Sequence, residues 1–197
     1  MSLFSKIYDP AIKPLENRGL QRFRKDLIGK ATKHVLEIGC GTGLNFPFYT
    51  PAALVTAVDP NTKMLQKAKQ RAQLADANIS VIEGTVEYLP FPDNTFDSVV
   101  CTLVLCSVPN VNQAITELRR ICKPNGTMLF LEHIRVQQPI IGKIQDLLTP
   151  ASKRFCGGCC LNRNTHLDIQ KAEIITESIQ FHYGNAMFIL EGKNKKD

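Results

Sequence analysis

The stretch VLEIGCGTGLNF, residues 35–46, begins as an apolar run and then breaks into glycines at 39, 41 and 43. An apolar segment that ends in a glycine loop suits a buried parallel strand handing the chain to a helix. Ligands of open parallel sheets bind at that end of the strands, where glycines let them approach the backbone and the next helix N-terminus. The dinucleotide fingerprint is G-x-G-x-x-G; here the spacing is G-x-G-x-G with Glu37 two residues ahead, which argues against a nicotinamide cofactor. Taken alone, the loop would also serve as a structural turn.

The flanking chain supplies the context. Residues 34–37 read as a first strand, 55–59 as a second, 79–83 as a third, 97–102 as a fourth and 127–132 as a fifth. Between them Met64, Leu65, Ala68, Ala72 and Ala75 recur near helical spacing over 62–75, and Val111, Ile115, Leu118 and Cys122 do the same. This alternation predicts parallel strands joined by crossover helices. A helix over 165–172, opened by a capping residue, precedes strands over 174–181 and 186–192 that pair as a hairpin. The expected fold is α/β: one seven-stranded sheet, mostly parallel with a C-terminal antiparallel hairpin strand, and helices on both faces. Residues 139–163, with Gly142, Pro150 and Gly157-Gly158, form a connection long enough to be expected as a lid or binding segment.

Asp59 closes the second strand, where an acidic side chain can accept both hydroxyl protons of a ribose. The run Asp59-Pro60-Asn61-Thr62 could equally cap the helix that follows. Loop and carboxylate together, both at strand ends, favour a bound nucleoside.

Composition narrows the class further. A chain of 197 residues suits one domain, and 44% hydrophobic with 21% charged residues is ordinary globular usage. No apolar run approaches the roughly 18 residues of a membrane helix, and MSLFSKIYDP lacks the apolar stretch of a signal peptide, so a cytoplasmic location is expected. Much of the net charge of +6 sits in Arg18–Lys25 and Lys193–Lys196, with Phe23 the only aromatic among them, a poor match to a nucleic-acid groove. Leu15, Leu20, Phe23 and Leu27 could support peripheral contact with anionic lipid, but core packing is the expected use. Seven cysteines, an odd number, are expected as reduced thiols, with Cys101, Cys106 and Cys122 as core. Cys156, Cys159 and Cys160 offer two or three soft ligands; a structural zinc needs four and no spacing supplies the rest, so no metal is expected.

From about Val35 to His133 the chain resembles the class I S-adenosylmethionine-dependent methyltransferases, of the methyltransferase type 11 domain. LEIGCGTG is similar to their first motif, VDPN to the acidic motif of the second strand, EGTVEYLPFPDNTFD to the adenine loop, and RRICKPNGTMLFLEH to the helix-turn-strand unit at the fifth strand. NFPFY, VVCTLVLCSV, EH and GCCLNR look most like the small thiol S-methyltransferases of the methyltransferase-like group. The apolar N-terminal membrane segment of the animal members has no counterpart here, so membrane attachment is not expected to carry over.

The resemblance implies a Rossmann-like domain over 31–197, a helical lid over 1–30, an acceptor-site insertion over 139–163, and S-adenosylmethionine as cofactor. The backbone of Gly39, Cys40, Gly41 and Gly43, with Glu37 beside it, would lie against the methionine moiety. Asp59 and Pro60 would meet the ribose, Asn61 the adenine, Thr85 and Val86 the adenine loop, and Thr102 the end of the fourth strand. The usual Gly-Asp-Ala-Glu of that loop reads Gly84-Thr85-Val86-Glu87, which replaces a carboxylate by a neutral hydroxyl.

A sulfonium methyl is already activated, so in-line transfer needs alignment and water exclusion more than acid–base help, and no metal. A thiol, with its pKa near 8.5, is the acceptor easiest to ionise. His133 is the candidate base; a hydrogen-bonded structural histidine that orients Glu132 is the equal alternative. Tyr8, Leu103, Leu148 and Phe155 are expected around a small lipophilic acceptor. The chain lacks the Asp/Asn-Pro-Pro-aromatic clamp and the Pro-Cys pair of nucleic-acid methylases. Quinone-precursor or phospholipid-amine methylation is the alternative chemistry, and a non-catalytic binding module the alternative class.

Overall fold

The computed structural model describes residues 3–196. Helix α1 (Leu3–Leu15) and helix α2 (Gln21–Ile28) are separated by a kink at Glu16–Leu20, where Gly19 takes a φ of 122°. Then follow β1 (His34–Ile38), β2 (Leu54–Asp59), α3 (Thr62–Ala72), β3 (Asn78–Glu83), β4 (Phe96–Thr102), α4 (Val111–Ile121) and β5 (Cys122–His133). Helix α5 (Pro139–Phe155), α6 (Thr165–Lys171), β6 (Ile174–His182) and β7 (Met187–Asn194) complete the chain.

The strands form one sheet in the order β3-β2-β1-β4-β5-β7-β6. β1 to β5 run parallel, and β7 inserts antiparallel between β5 and β6. Side chains alternate across a strand, so neighbours on β1 and β5 feed different cores. Leu36, Ile38, Met128 and Phe130 pack with Ile115 and Leu118 of α4. Val35, Leu129 and Leu131 pack on the other face with Leu27, Ile28 and Leu65 of α2 and α3. Every residue of β4 is buried except Asp97, as a central strand covered on both faces requires of its apolar Val99, Val100 and Cys101. Edge strand β3 has no buried residue, as suits an unpaired edge.

The sheet matches the expected architecture, and three local readings need correction. Cys122 opens β5 instead of closing the α4 stripe; it is buried, and its N–H donates to the Leu118 carbonyl. Helix α6 starts after Asn164 with no side-chain cap. Residues 139–155, read as part of a connection expected to be a lid or binding segment, form a helix. Gly142 and Pro150 read as breakers in sequence, but α5 turns its small and polar residues Gly142, Thr149 and Ser152 inward. Its apolar Ile140, Leu147, Leu148 and Phe155 face outward, which inverts the usual helical pattern. In the first segment Leu20 and Leu27 are buried, so they serve the core. Among the described residues no helix is long and apolar enough to cross a membrane.

Candidate active site

The strand ends of β1, β2 and β4 open onto a cavity of about 790 Å³. Gly39, Gly41, Asp59, Pro60, Asn61, Thr85 and Val86 line one part of it; Leu103, Val104, Cys106, His133 and Cys159 line another, with Tyr8 and Ile12 of α1 contributing to the wall.

The three glycines have different reasons to be glycine. All three have positive φ, 57°, 55° and 81°. A Cβ on Gly39 would stand 2.3 Å from Val104 Cγ2, and one on Gly43 would stand 2.6 Å from the Phe46 ring. Those two make room for the protein's own side chains. On Gly41 a Cβ would meet nothing nearer than the Gly39 carbonyl at 3.9 Å, so that glycine leaves its space to the cavity.

Asp59 is buried, and its Oδ2 accepts from the Gly41 N–H (2.9 Å) while Oδ1 accepts from the Asn61 N–H (2.8 Å). Burial pushes its carboxyl up, against those two bonds. Each oxygen keeps a lone pair, so an aligned acceptor remains for hydroxyl donors. Asn61 itself caps α3, its Oδ1 accepting from Lys63 N (3.1 Å) and Met64 N (3.3 Å). The capping role thus falls to Asn61 and leaves Asp59 to the cavity.

Glu37, Cys40, Gly43 and Thr102 are absent from the lining. Glu37 accepts from Asn45 Nδ2 (2.9 Å) and the Tyr49 hydroxyl (2.7 Å), and burial pushes its carboxyl up to about 7. Thr102 Oγ1 accepts from Asn45 Nδ2 (2.8 Å) and Arg24 Nη1 (3.2 Å), and Arg24 Nη1 also reaches Asn45 Oδ1 (2.9 Å). This buried network holds the glycine loop to α2 and to the end of β4. Cys40 is a buried thiol whose pKa burial raises.

Helix α1 lies against the loop through Asp9, which accepts from the Thr42 hydroxyl (2.6 Å), Arg71 Nη2 (3.0 Å) and Lys67 Nζ (3.4 Å). That clasp brings Tyr8, whose pKa burial raises, to the cavity wall. Leu103 lines the cavity in a left-handed conformation (φ 58°), its N–H held by the Leu131 carbonyl at 2.8 Å. Leu148 and Phe155, expected beside the acceptor, are 50% and 65% exposed on the outer face of α5 and do not line the cavity. The loop after the helix takes their place, through Cys156, Gly157 and Cys159.

His133 Nε2 lies 3.1 Å from Cys159 Sγ. Hydrogen bonding to the Cys106 thiol first, and to His133 second, holds Cys159 well below the usual thiol range. Burial opposes a charge on His133, but the Cys159 contact outweighs it and raises the ring's pKa. Beside this pair, Glu132 Oε1 accepts from the Val104 and Leu105 N–H groups (2.7 and 2.9 Å) and pins the turn that carries Cys106. Glu132 therefore organises the site from inside the core, without the help of the His133 ring. No spacing rule could have joined Cys106 to His133 and Cys159, because the three come from stretches distant in sequence. Ile12 and Val108 were missed for the same reason.

A family model described as a methyltransferase domain matches residues 36–130. Thiol S-methyltransferase TMT1B of Rattus norvegicus is 37% identical over 168 residues, covering 82% of this chain and 69% of that protein. Ubiquinone/menaquinone biosynthesis C-methyltransferase UbiE of Hahella chejuensis is 33% identical over 171 residues, covering 82% and 66%. A crystal structure of a SAM-dependent methyltransferase from Aquifex aeolicus shares the fold, with a TM-score of 0.65 at 18% identity over 94% of this chain and 97% of that one. The chain spans 62% to 69% of the length of the thiol S-methyltransferases it matches.

Proposed function

The chain belongs to the S-adenosylmethionine-dependent methyltransferases, and from that membership we propose that it methylates the sulfur of a small lipophilic thiol. Its cofactor is S-adenosylmethionine, which supplies when bound a methyl group already activated on a sulfonium. The residues present fit such a group: Gly41 leaves its Cβ space open to the cavity, and Asp59 keeps acceptor lone pairs there. In this reading Gly39 and Gly41 hold the methionine end, Asp59 and Pro60 the ribose, and Asn61, Thr85 and Val86 the adenine. Helix α1 acts as the lid and excludes water through Tyr8 and Ile12; the first two residues of the lid segment expected over 1–30 lie outside the described residues.

The observation that carries the proposal is the wall opposite Asp59. Leu103, Val104 and Val108 offer apolar contact to the body of the acceptor, and His133 with Cys159 forms a polar end where its proton can leave. The likeness to named thiol S-methyltransferases supports the same choice. The likeness to UbiE favours carbon methylation of a quinone precursor as the second reading. Incubation with methyl-labelled S-adenosylmethionine and, separately, an alkyl thiol, a quinone precursor and a phospholipid amine decides between them. Label is expected in a methyl thioether; label in the quinone or the amine alone would overturn the thiol assignment, and S-adenosylhomocysteine formed with none of them would leave the acceptor class wrong.

A further inference from the structure

Three soft donor atoms from three separate stretches of chain meet on the cavity wall: Cys106 Sγ, His133 Nε2 and Cys159 Sγ all lie within 4.8 Å of one another. We propose that they bind one zinc ion, and that its fourth position faces the cavity and takes the acceptor thiol as a thiolate. The identity of the fourth ligand rests on the thiol reading above; binding of the ion by the three side chains does not.

Zinc is four-coordinate and tetrahedral, with bonds of about 2.3 Å to sulfur and about 2.0 Å to nitrogen, which sets its ligand atoms roughly 3.3–3.8 Å apart. The His133–Cys159 separation of 3.1 Å and the 4.8 Å limit for the trio bracket that spacing, so small side-chain rotations complete the site. Two thiolates and a neutral imidazole form a donor set that suits zinc and cancels its charge. Three protein ligands with one open position is the arrangement of a catalytic zinc; a structural one is closed by four.

The backbone holds the donors in place before any ion arrives. Glu132 fixes the turn bearing Cys106, and Arg163 Nη1 donates to the Leu105 (2.8 Å) and Val108 carbonyls of the same turn. The Cys160 N–H donates to the Cys106 carbonyl at 2.8 Å, which draws the loop of Cys159 onto that turn. Gly158 makes this approach feasible: its φ is 90°, and a Cβ there would stand 3.1 Å from the Ser107 carbonyl.

The chemistry balances without further reagents. On coordination the acceptor S–H bond would break and its proton leave to solvent, because His133 and Cys159, which would receive it in the metal-free site, would then be zinc ligands. The thiolate sulfur then forms a bond to the methyl carbon, whose bond to the sulfonium breaks with the electron pair staying on the departing thioether, S-adenosylhomocysteine. The neutral methylated product binds zinc weakly and is released.

The test uses the full-length chain stripped of metal and titrated with cobalt(II), which reports thiolate ligation by its charge-transfer and d–d absorption, followed by zinc competition. One equivalent is expected to bind. Cys106→Ser, Cys159→Ser and His133→Asn should each lower the affinity at least tenfold in protein that melts normally, and Cys156→Ser should leave it unchanged. Adding 2-mercaptoethanol should shift the d–d bands of the wild-type complex. Absence of stoichiometric binding overturns the proposal, as does a loss in Cys156→Ser equal to that in Cys159→Ser, which would mark a closed four-ligand site. Full thiol methylation by chelator-treated, zinc-free protein would overturn the metal and leave the thiol reading intact. One tightly bound equivalent whose spectrum ignores every thiol, in protein that methylates none, would overturn the fourth ligand together with the thiol reading.

Discussion

Asp59 joins two jobs in one carboxylate. Asp59→Ala removes charge-assisted acceptors worth roughly 1.5–3 kcal/mol to a ligand, so S-adenosylmethionine affinity by calorimetric titration is expected to fall about ten- to hundredfold. It also strands the Gly41 and Asn61 N–H groups, so the melting temperature should fall by roughly 2–4 °C for each kcal/mol lost. Unchanged affinity in the folded variant would remove the ribose assignment. The glycines separate in the same way. Gly39→Ala drives a Cβ into Val104 and should melt well below Gly41→Ala, which meets only the backbone cost of about 1 kcal/mol for a left-handed alanine; equal melting temperatures would contradict that packing. At this scale the sequence revealed Asp59 and the loop because both sit beside a strand in a recognisable order. It concealed that Glu37 and Thr102 face inward, since a strand-end polar residue looks the same whether its partner is a ligand or a buried Asn45.

Helix α1 is a separable element. It meets the loop and α3 through Asp9, whereas α2 is tied into the core network by Arg24, so the kink at Gly19 is where motion can begin. Asp9→Ala is expected to speed hydrogen exchange over residues 3–15 about five- to thirtyfold and to leave 21–28 as they were. In the wild type S-adenosylmethionine should slow exchange over residues 3–15; no change would dismiss the lid. For α5, Leu148→Ala and Phe155→Ala should move stability by no more than about 0.5 kcal/mol, because both side chains face outward. Their effect on acceptor KM should be nil, in contrast to the sequence expectation, and a raised KM would show that α5 reaches the acceptor. This helix was illegible because its buried positions are occupied by Gly142, Thr149 and Ser152, which carry no apolar period.

Across the whole molecule, Glu37 couples stability to pH. Burial pushes its folded carboxyl up to about 7, above the ordinary value near 4.5, so the unfolded chain loses that proton first. The folded state is therefore favoured most below pH 4.5 in this respect, and the advantage declines as pH rises through 7. Glu37→Gln should remove this dependence: between pH 5 and 8 its stability in denaturant melts should gain on the wild type by on the order of 2–3 kcal/mol. Parallel curves would relocate the titration. The succession of parallel strands and crossover helices was legible in advance because alternation of periods is a long-range pattern; in the cavity's far wall Tyr8, Leu103 and His133 were legible too, but Ile12, Cys106 and Cys159 were not, because that wall is assembled from stretches distant in sequence. Tyr8, Ile12, His133, Cys156 and Cys159 all lie outside the matched residues 36–130, whereas Gly39, Asp59, Asn61 and Thr85 lie inside them. Leu103, Val104, Cys106 and Val108 of the wall also lie inside them, so the proposed acceptor end draws on both stretches of sequence. Grafting residues 103–108 together with the segments before residue 36 and after residue 130 from a relative of other specificity should transplant the acceptor and leave the methyl donor as it is, which makes this fold a handle that accepts interchangeable blades.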